Sequence, residues 1–183
     1  MRLEALVLPD VKLIHADRIG DGRGFFEEVW KRTALVQAGI DVTFVQENHS
    51  LSRVPGTVRG LHFQRPPRAQ AKLVRALRGS IFDVAVDLRG ASPTYGKWVG
   101  VTLSAAEGDQ VFMPVGFAHG FCTLEPDTEV GYLVTDEYSG EHDAGIAWND
   151  PAIGVAWPPV VDPALLSAKD RNAQRLAAFR TPF

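Results

Sequence analysis

The stretch TVRGLHFQ, residues 57–64, sets a histidine inside a strand-like alternation. An imidazole titrates near neutral pH, so His62 can act as a proton-abstracting base, as a metal ligand, or as a packed polar group. A metal role needs converging ligands, and neither H-x-H nor H-E-x-x-H spacing occurs in the chain. The base reading has more to work with. It needs a carboxylate to fix the tautomer and a cation to hold negative charge developing on an oxygen, and Arg59 and Lys72 lie close in sequence. Tyr132 and Tyr138 can each supply a proton, or serve as half-buried strand residues with a wet hydroxyl. The residues alone leave these readings open. Strict alternation also places Arg59 and His62 on opposite strand faces, so both reach one site only if Gly60 marks a bulge or twist.

His119 sits in PVGFAHGF, whose glycines suggest a tight turn entering a strand where backbone can approach a ligand closely. A packed turn histidine competes with that reading. In FDVAVDLR, Phe82, Val84, Val86 and Leu88 point one way and Asp83, Ala85, Asp87 and Arg89 the other. The charged set means either a solvent face or, in a small barrel, carboxylates directed at a ligand. His15, His49 and His142 suggest only surface or packing roles. Cys122, the sole cysteine, lies in the apolar run GFCTL and reads as a buried structural thiol with no disulfide partner in the chain.

These side chains must be positioned by strands. Short alternating or β-branched runs dominate: VKLIHADRI, VTFVQENHS, TVRGLHFQ, AKLVRAL, SIFDVAVDLR, KWVGVTLS, QVFMPV and EVGYLVTDEY, separated by RVPG, LRGS, RGASPTYG and EPDT. That pattern predicts a β-sandwich or barrel. Helical signal is confined to WKRTALVQAG, closed by Gly39, and to the C-terminal DPALLSAKDRNAQRLAAF. No βαβ rhythm, dinucleotide fingerprint or Walker loop is present.

With 183 residues, 45% of them hydrophobic, the chain suits one domain with a self-sufficient core. No apolar run approaches the roughly 20 residues a membrane span needs, and MRLEALVLPD lacks a signal-peptide core, so a soluble cytoplasmic protein is expected. The net charge of -3 argues against general nucleic-acid affinity. Yet Arg53, Arg59, Arg65, Arg68, Lys72, Arg75 and Arg78 fall in residues 51–82 with no acid among them. That block is either a solvated face or a local anion site suited to a phosphate or diphosphate.

Taken in order, GFFEE, QENHS, RGLHFQ, QAKLVRALRGSIFDVAVDLR, SPTYGKWVG, PVGFAHGF, YLVTDEYS, GIAWNDP and LSAKD resemble the dTDP-4-dehydrorhamnose 3,5-epimerase family over nearly the whole chain. The resemblance implies a mainly β, cupin-like jelly roll (a double-stranded β-helix) with short N-terminal and C-terminal helices, a single domain over residues 1–183. It also implies no metal, no cofactor, and homodimers with exchanged N-terminal strands. The implied reaction converts dTDP-4-keto-6-deoxy-D-glucose to dTDP-4-keto-L-rhamnose by inversion at C3 and C5, in dTDP-L-rhamnose biosynthesis. By the same resemblance His62 is the base, held by Asp170, and Tyr132 the acid on the opposite face of the sugar. Lys72 stabilises the enolate oxygen, with Asp83 and His119 completing a polar wall. Arg23, Glu28, Gln46, Glu47, Asn48, Arg59 and Lys169 match positions linked to the nucleotide diphosphate sugar, and Phe26 and Tyr138 are candidates to contact thymine or sugar. Where the family often reads YSPEHERGI, this chain reads YSGEHDAGI, so Gly140 replaces Pro and Asp143 is one methylene shorter than Glu. A mono-epimerase of a related deoxysugar pathway keeps the same acid and base, and a non-catalytic sugar-nucleotide binding module is the alternative from another class.

Overall fold

The computed structural model describes residues 2–183. In chain order the elements are β1 (Arg2–Ala5), β2 (Lys12–His15), β3 (Arg18–Asp21), β4 (Gly24–Glu27), α1 (Arg32–Gln37), β5 (Gln46–Ser52), β6 (Val58–Gln64) and β7 (Lys72–Arg78). They continue as β8 (Ser80–Asp87), β9 (Trp98–Ser104), β10 (Gln110–Met113), β11 (Phe117–Thr123), β12 (Thr128–Val134), β13 (Asp143–Gly145) and α2 (Ala168–Arg171). A six-stranded sheet runs β1-β2-β10-β7-β12-β5, a five-stranded sheet runs β13-β6-β11-β8-β9, and β3-β4 form a separate ribbon. The strands within both large sheets pair antiparallel. This is the β-sandwich that the short alternating runs predict, with the mainly β, cupin-like architecture that the resemblance implies.

Between the two large sheets lies a core of Val74, Val111 and Val130 from one side and Ile81, Ala85, Leu103, Phe117 and Phe121 from the other. Alternation then assigns the interior. On β7, Val74 and Lys72 share the inward face, while Leu73 joins Ile14, Leu35 and Phe112 under α1 on the outer face. On β8, Ile81 and Ala85 point inward and Val84 and Val86 outward, so Asp83 is directed into the interior and is 1% exposed. The charged face of FDVAVDLR is therefore a buried one. The sandwich interior thus sets buried polar side chains, Lys72, Asp83 and His119, among its apolar ones.

Several boundaries differ from the alternation. VKLIHADRI divides into β2 and β3, which belong to different sheets, and GFFEE supplies β4, the partner of β3. Residues 42–45 and 135–138 lie outside the strands they adjoin. The C-terminal helix expected over residues 162–179 is instead a strap of short turns, with 3-10 turns at Pro163–Leu165 and Leu176–Ala178 flanking the single-turn α2. The cause is packing. Leu166 joins Val58 and Cys122, and Leu176, Phe179 and Phe183 pack against the outward face of β6 and β8. An extended strap covers more of that sheet per residue than a helix rising about 1.5 Å per residue. The Cys122 thiol is buried and desolvation pushes its pKa up to about 11, as a structural cysteine requires.

The β6–β11 pairing contains the irregularity on which the site depends. His119 opposes His62 and Phe121 opposes Arg59, so Gly60 and Leu61 together face Gly120. This bulge restores the parity that strict alternation breaks: Leu61 and Phe63 pack outward while Arg59 and His62 both turn inward. Gly60 has φ +143°, and a Cβ there would stand 2.5 Å from Gly120 Cα. A Cβ on Gly120 would meet Arg59 O at 2.9 Å. Only glycines let these backbones approach so closely. Gly60→Ala is therefore expected to destabilise the fold by at least about 2 kcal/mol, as strained backbone and a backbone clash require. Gly140→Ala, whose nearest neighbour is 3.7 Å away, should be close to neutral. Urea unfolding of both variants checks the difference.

Candidate active site

The inward faces of β5, β6, β7, β11 and β12 line two adjoining cavities. One, about 330 Å³, is bordered by Gln46, Asn48, Gln64, Gln70, Tyr138, Asp143 and Lys169. The other, about 230 Å³, is bordered by Ser50, Arg59, His119, Phe121, Ser167 and Asp170. His62, Lys72 and Tyr132 line both. His62 stands on the five-stranded sheet, and Lys72 and Tyr132 on the six-stranded one.

His62 Nε2 is hydrogen-bonded to Asp170 Oδ1. Asp170 belongs to α2 and is 4% exposed. Ser167, the N-cap of α2, accepts from the Asp170 backbone N–H at 3.1 Å and donates its hydroxyl to Asp170 Oδ2 at 2.8 Å. Both carboxylate oxygens are thus engaged, which fixes the imidazole orientation. With the Nε2 proton directed at the carboxylate, the lone pair resides on Nδ1. Desolvation lowers the His62 pKa against the opposing hydrogen bond and charge of Asp170, with Lys169 and Lys72 also lowering it. Burial would raise Asp170, but His62, the Ser167 hydroxyl and Lys169 hold it below the ordinary carboxylate range. The pair is a neutral imidazole against an ionised carboxylate near pH 7.

Lys72 Nζ donates to the His62 carbonyl at 3.3 Å. Burial pulls its pKa down to about 8, while the charges of Asp83 and Asp143 oppose the fall. Desolvation raises the Tyr132 pKa above its usual value, Arg59 opposing and Asp143 reinforcing, so this phenol keeps its proton. His119 Nε2 is 2.8 Å from Asp83 Oδ2, both residues being buried. His119 faces the smaller cavity, and Asp83 stands behind it as its partner.

The rim loop after β12 is held by glutamine amides. Gln46 Oε1 accepts from Tyr138 N at 2.9 Å, and Gln70 Nε2 donates to Asp136 O at 2.7 Å. Gln64 donates to Arg68 O at 2.6 Å and Glu137 O at 3.2 Å, and accepts from Ser139 N at 2.7 Å. Asp143 is engaged by Lys169 and, at 3.3 Å, by the Tyr138 hydroxyl, so the shorter carboxylate still spans the rim.

The structure brings together His62, Tyr132, Asp170, Lys72, Gln46, Asn48, Arg59, His119, Tyr138, Asp143 and Lys169, with Asp83 behind His119. It does not bring Arg23, Phe26, Glu28 or Glu47 to these cavities. Arg23 and Phe26 lie on the projecting β3-β4 ribbon, where Arg23 pairs with Asp21. Glu28 pairs with Lys31 at 3.4 Å. Glu47 takes the opposite parity to Gln46 and Asn48 and borders a cavity of about 160 Å³ with Trp30 and Arg75. The basic block also divides, since only Arg59 and Lys72 reach the cavities. Ser50, Gln64, Gln70 and Ser167 escaped the sequence reading. Parity with His62 and with Gln46 marks Gln64 and Ser50 as same-face residues, but no chemical motif marks any of the four. Among the described residues, no group of three or more His, Cys, Asp or Glu side chains is placed to hold a metal ion, and no helix is long and apolar enough to cross a membrane.

Residues 5–178 match the family model described as dTDP-4-dehydrorhamnose 3,5-epimerase. The chain is 50% identical to the dTDP-4-dehydrorhamnose 3,5-epimerase of Sinorhizobium fredii, over all of this chain (100%) and 93% of that protein. It superposes on the crystal structure of the Bacillus anthracis dTDP-4-dehydrorhamnose 3,5-epimerase with TDP and PPi bound, with a TM-score of 0.92 and 46% identity over 96% of this chain and 99% of that one. For the Legionella pneumophila dTDP-6-deoxy-D-glucose-3,5-epimerase in complex with dTDP-4-keto-L-rhamnose the TM-score is 0.91, with 40% identity over 98% and 94% of the two chains.

In an NMR titration of the histidine rings, His62 is expected to protonate below the ordinary value of 6.5. Asp170→Asn removes the interactions that raise its pKa, so the transition should move to still lower pH. An upward shift in that variant would contradict the electrostatic assignment.

Proposed function

The chain belongs to the dTDP-4-dehydrorhamnose 3,5-epimerase family, and we propose that it converts dTDP-4-keto-6-deoxy-D-glucose to dTDP-4-keto-L-rhamnose within dTDP-L-rhamnose biosynthesis. The observation that carries this reading is a neutral, carboxylate-held imidazole on one sheet and a protonated phenol on the other, lining the same space beside a buried lysine. All of residues 1–183 would act as one catalytic domain.

A proton on carbon beside a ketone is acidic because its departure leaves an enolate. His62 Nδ1 takes the proton from C3 or C5, and the C–H electron pair moves toward the C4 oxygen. The Lys72 ammonium stabilises that oxygen, a contribution of about 3 to 4 kcal/mol if it matches a single oxyanion donor. Tyr132 returns a proton to the opposite face of the same carbon, inverting it, and solvent exchange resets both groups. The C4 ketone flanks both carbons, so one base, one acid and one oxyanion site serve both inversions. The steps transfer only protons and call for no redox cofactor.

Arg59 and Lys169 supply the positive charge for the diphosphate, and Gln46 and Asn48 neutral hydrogen bonds. Tyr138, exposed at the rim, offers its ring to the base or sugar. Arg23, Phe26 and Glu28 suit the same substrate if a second chain presents them. The edge strand β1 and the exposed Ile19, Phe25 and Phe26, at 72%, 59% and 70%, favour a homodimer in which the ribbon or N-terminal strand docks on a neighbour. A charged nucleotide sugar does not cross a bilayer unaided, so the reading places the enzyme in the cytoplasm.

With metal-stripped protein and substrate in heavy water, proton NMR should show deuterium entering both C3 and C5. His62→Ala should abolish exchange while leaving dTDP affinity within a fewfold. Label at one carbon alone would make the protein a mono-epimerase, and binding without exchange would end the catalytic reading. The pH profile follows from the same groups. kcat/KM should fall as pH drops through the His62 pKa below 6.5, because the base becomes protonated. It should fall again as pH rises past about 8, where Lys72 loses its charge. Lys72→Met should remove that alkaline limb and lower kcat by roughly 100- to 1,000-fold.

A further inference from the structure

Ser50 stands on β5 with the inward parity of Gln46 and Asn48, and borders the smaller cavity with His62, Lys72, His119 and Tyr132. In register it opposes Val130, while Asn48 opposes Tyr132, so the serine flanks the proposed acid. Its Oγ is buried and, among the buried side-chain polar atoms of the described residues, is the one without a hydrogen-bond partner. Several of the surrounding polar groups are engaged elsewhere. Ser52, next on the same face, accepts from Arg59 Nε at 3.1 Å, His119 holds Asp83, Lys72 holds the His62 carbonyl, and Asp170 holds His62 and Ser167.

A buried hydroxyl left unpaired is unfavourable, and alanine would fit the site without that cost. We propose that Ser50 is a substrate-positioning residue whose hydroxyl bonds a hydroxyl group of the pyranose ring. The proposal rests on the epimerase reading for the identity of the sugar. One neutral hydroxyl is poorly matched to a diphosphate, which the nearby guanidinium and ammonium groups suit better. It is well matched to an alcohol, since both partners donate and accept, and its rotor can follow a substituent that changes side during inversion. Being uncharged, it leaves the balance that keeps His62 neutral undisturbed.

The test compares Ser50→Ala with Ser50→Thr, which keeps the hydroxyl. Calorimetry with dTDP, which lacks the sugar, should give affinities within twofold of the parent for both variants. With dTDP-glucose, which carries the pyranose hydroxyls but cannot epimerise, Ser50→Ala should bind about tenfold more weakly, the loss expected for one buried hydrogen bond. Its kcat/KM on the keto sugar should fall by a similar factor and Ser50→Thr should recover most of it. The Tm of Ser50→Ala should be unchanged or higher, because an unpaired buried group has been removed. Equal weakening of dTDP and dTDP-glucose, or a lowered Tm, would overturn the proposal. So would reduced turnover with unchanged dTDP-glucose binding, which would assign Ser50 to a bound water. If the parent protein turned over no substrate while the dTDP-glucose difference persisted, the epimerase reading would fail and the sugar contact would stand.

Discussion

The hydrogen bond between His62 and Asp170 joins residues 108 positions apart and sets the terms for the rest of the site. Burial pulls the imidazole toward neutrality and the carboxylate pulls it toward charge, and the outcome depends on how dry the pair is kept. The C-terminal strap controls that balance. It carries Asp170 on a single helical turn, caps that turn with Ser167, and seals the outward face of β6 with aromatic rings, Phe179 and Phe183 standing 5.4 and 5.8 Å from Phe63. Phe63 and His62 are neighbours of opposite parity, so apolar packing on one side of the sheet fixes the direction of the base on the other.

The interior follows from the same division. Alternating strands build a sandwich whose two inward faces set polar side chains among hydrophobic ones. Lys72 and Val74 share one face of one strand, as do Asp83 and Ala85 on another, so the polar groups are held by the same ladders that hold the core. Cationic and anionic groups placed there raise or lower one another's pKa because little water intervenes. Lys72, pulled down by burial and held up by Asp83 and Asp143, is the clearest case.

Much of this was legible in the residues, and what escaped has identifiable causes. The β class and most strands follow from period-2 runs, and a common inward direction for His62 and Arg59 requires a bulge at Gly60, which is where the register shifts. The C-terminal helix was misread because DPALLSAKDRNAQRLAAF has helical composition, whereas the sheet beneath it rewards an extended path. Periodicity could not tell which face of FDVAVDLR is interior, because both faces of β8 are covered. Glu47 shares a motif with Gln46 and Asn48 yet turns the other way, since neighbours on a strand point to opposite faces. Gln64 and Gln70 act through backbone groups of a distant loop, a relation that leaves no mark in local spacing.

The long separation of His62 and Asp170 also bears on how the molecule acquires activity. A chain made from its N-terminus has its base when β6 is complete, but the pairing strands β11 and β13 and then the helical turn with Asp170 come much later. Closing so large a loop is an entropic cost that local contacts do not offset, so such pairings tend to form late. Turnover would then report that the last segment has docked, whereas the circular dichroism of the strands would report only that the sheets exist. In this architecture, activity tests the docking of the C-terminal strap, which strand content by itself does not.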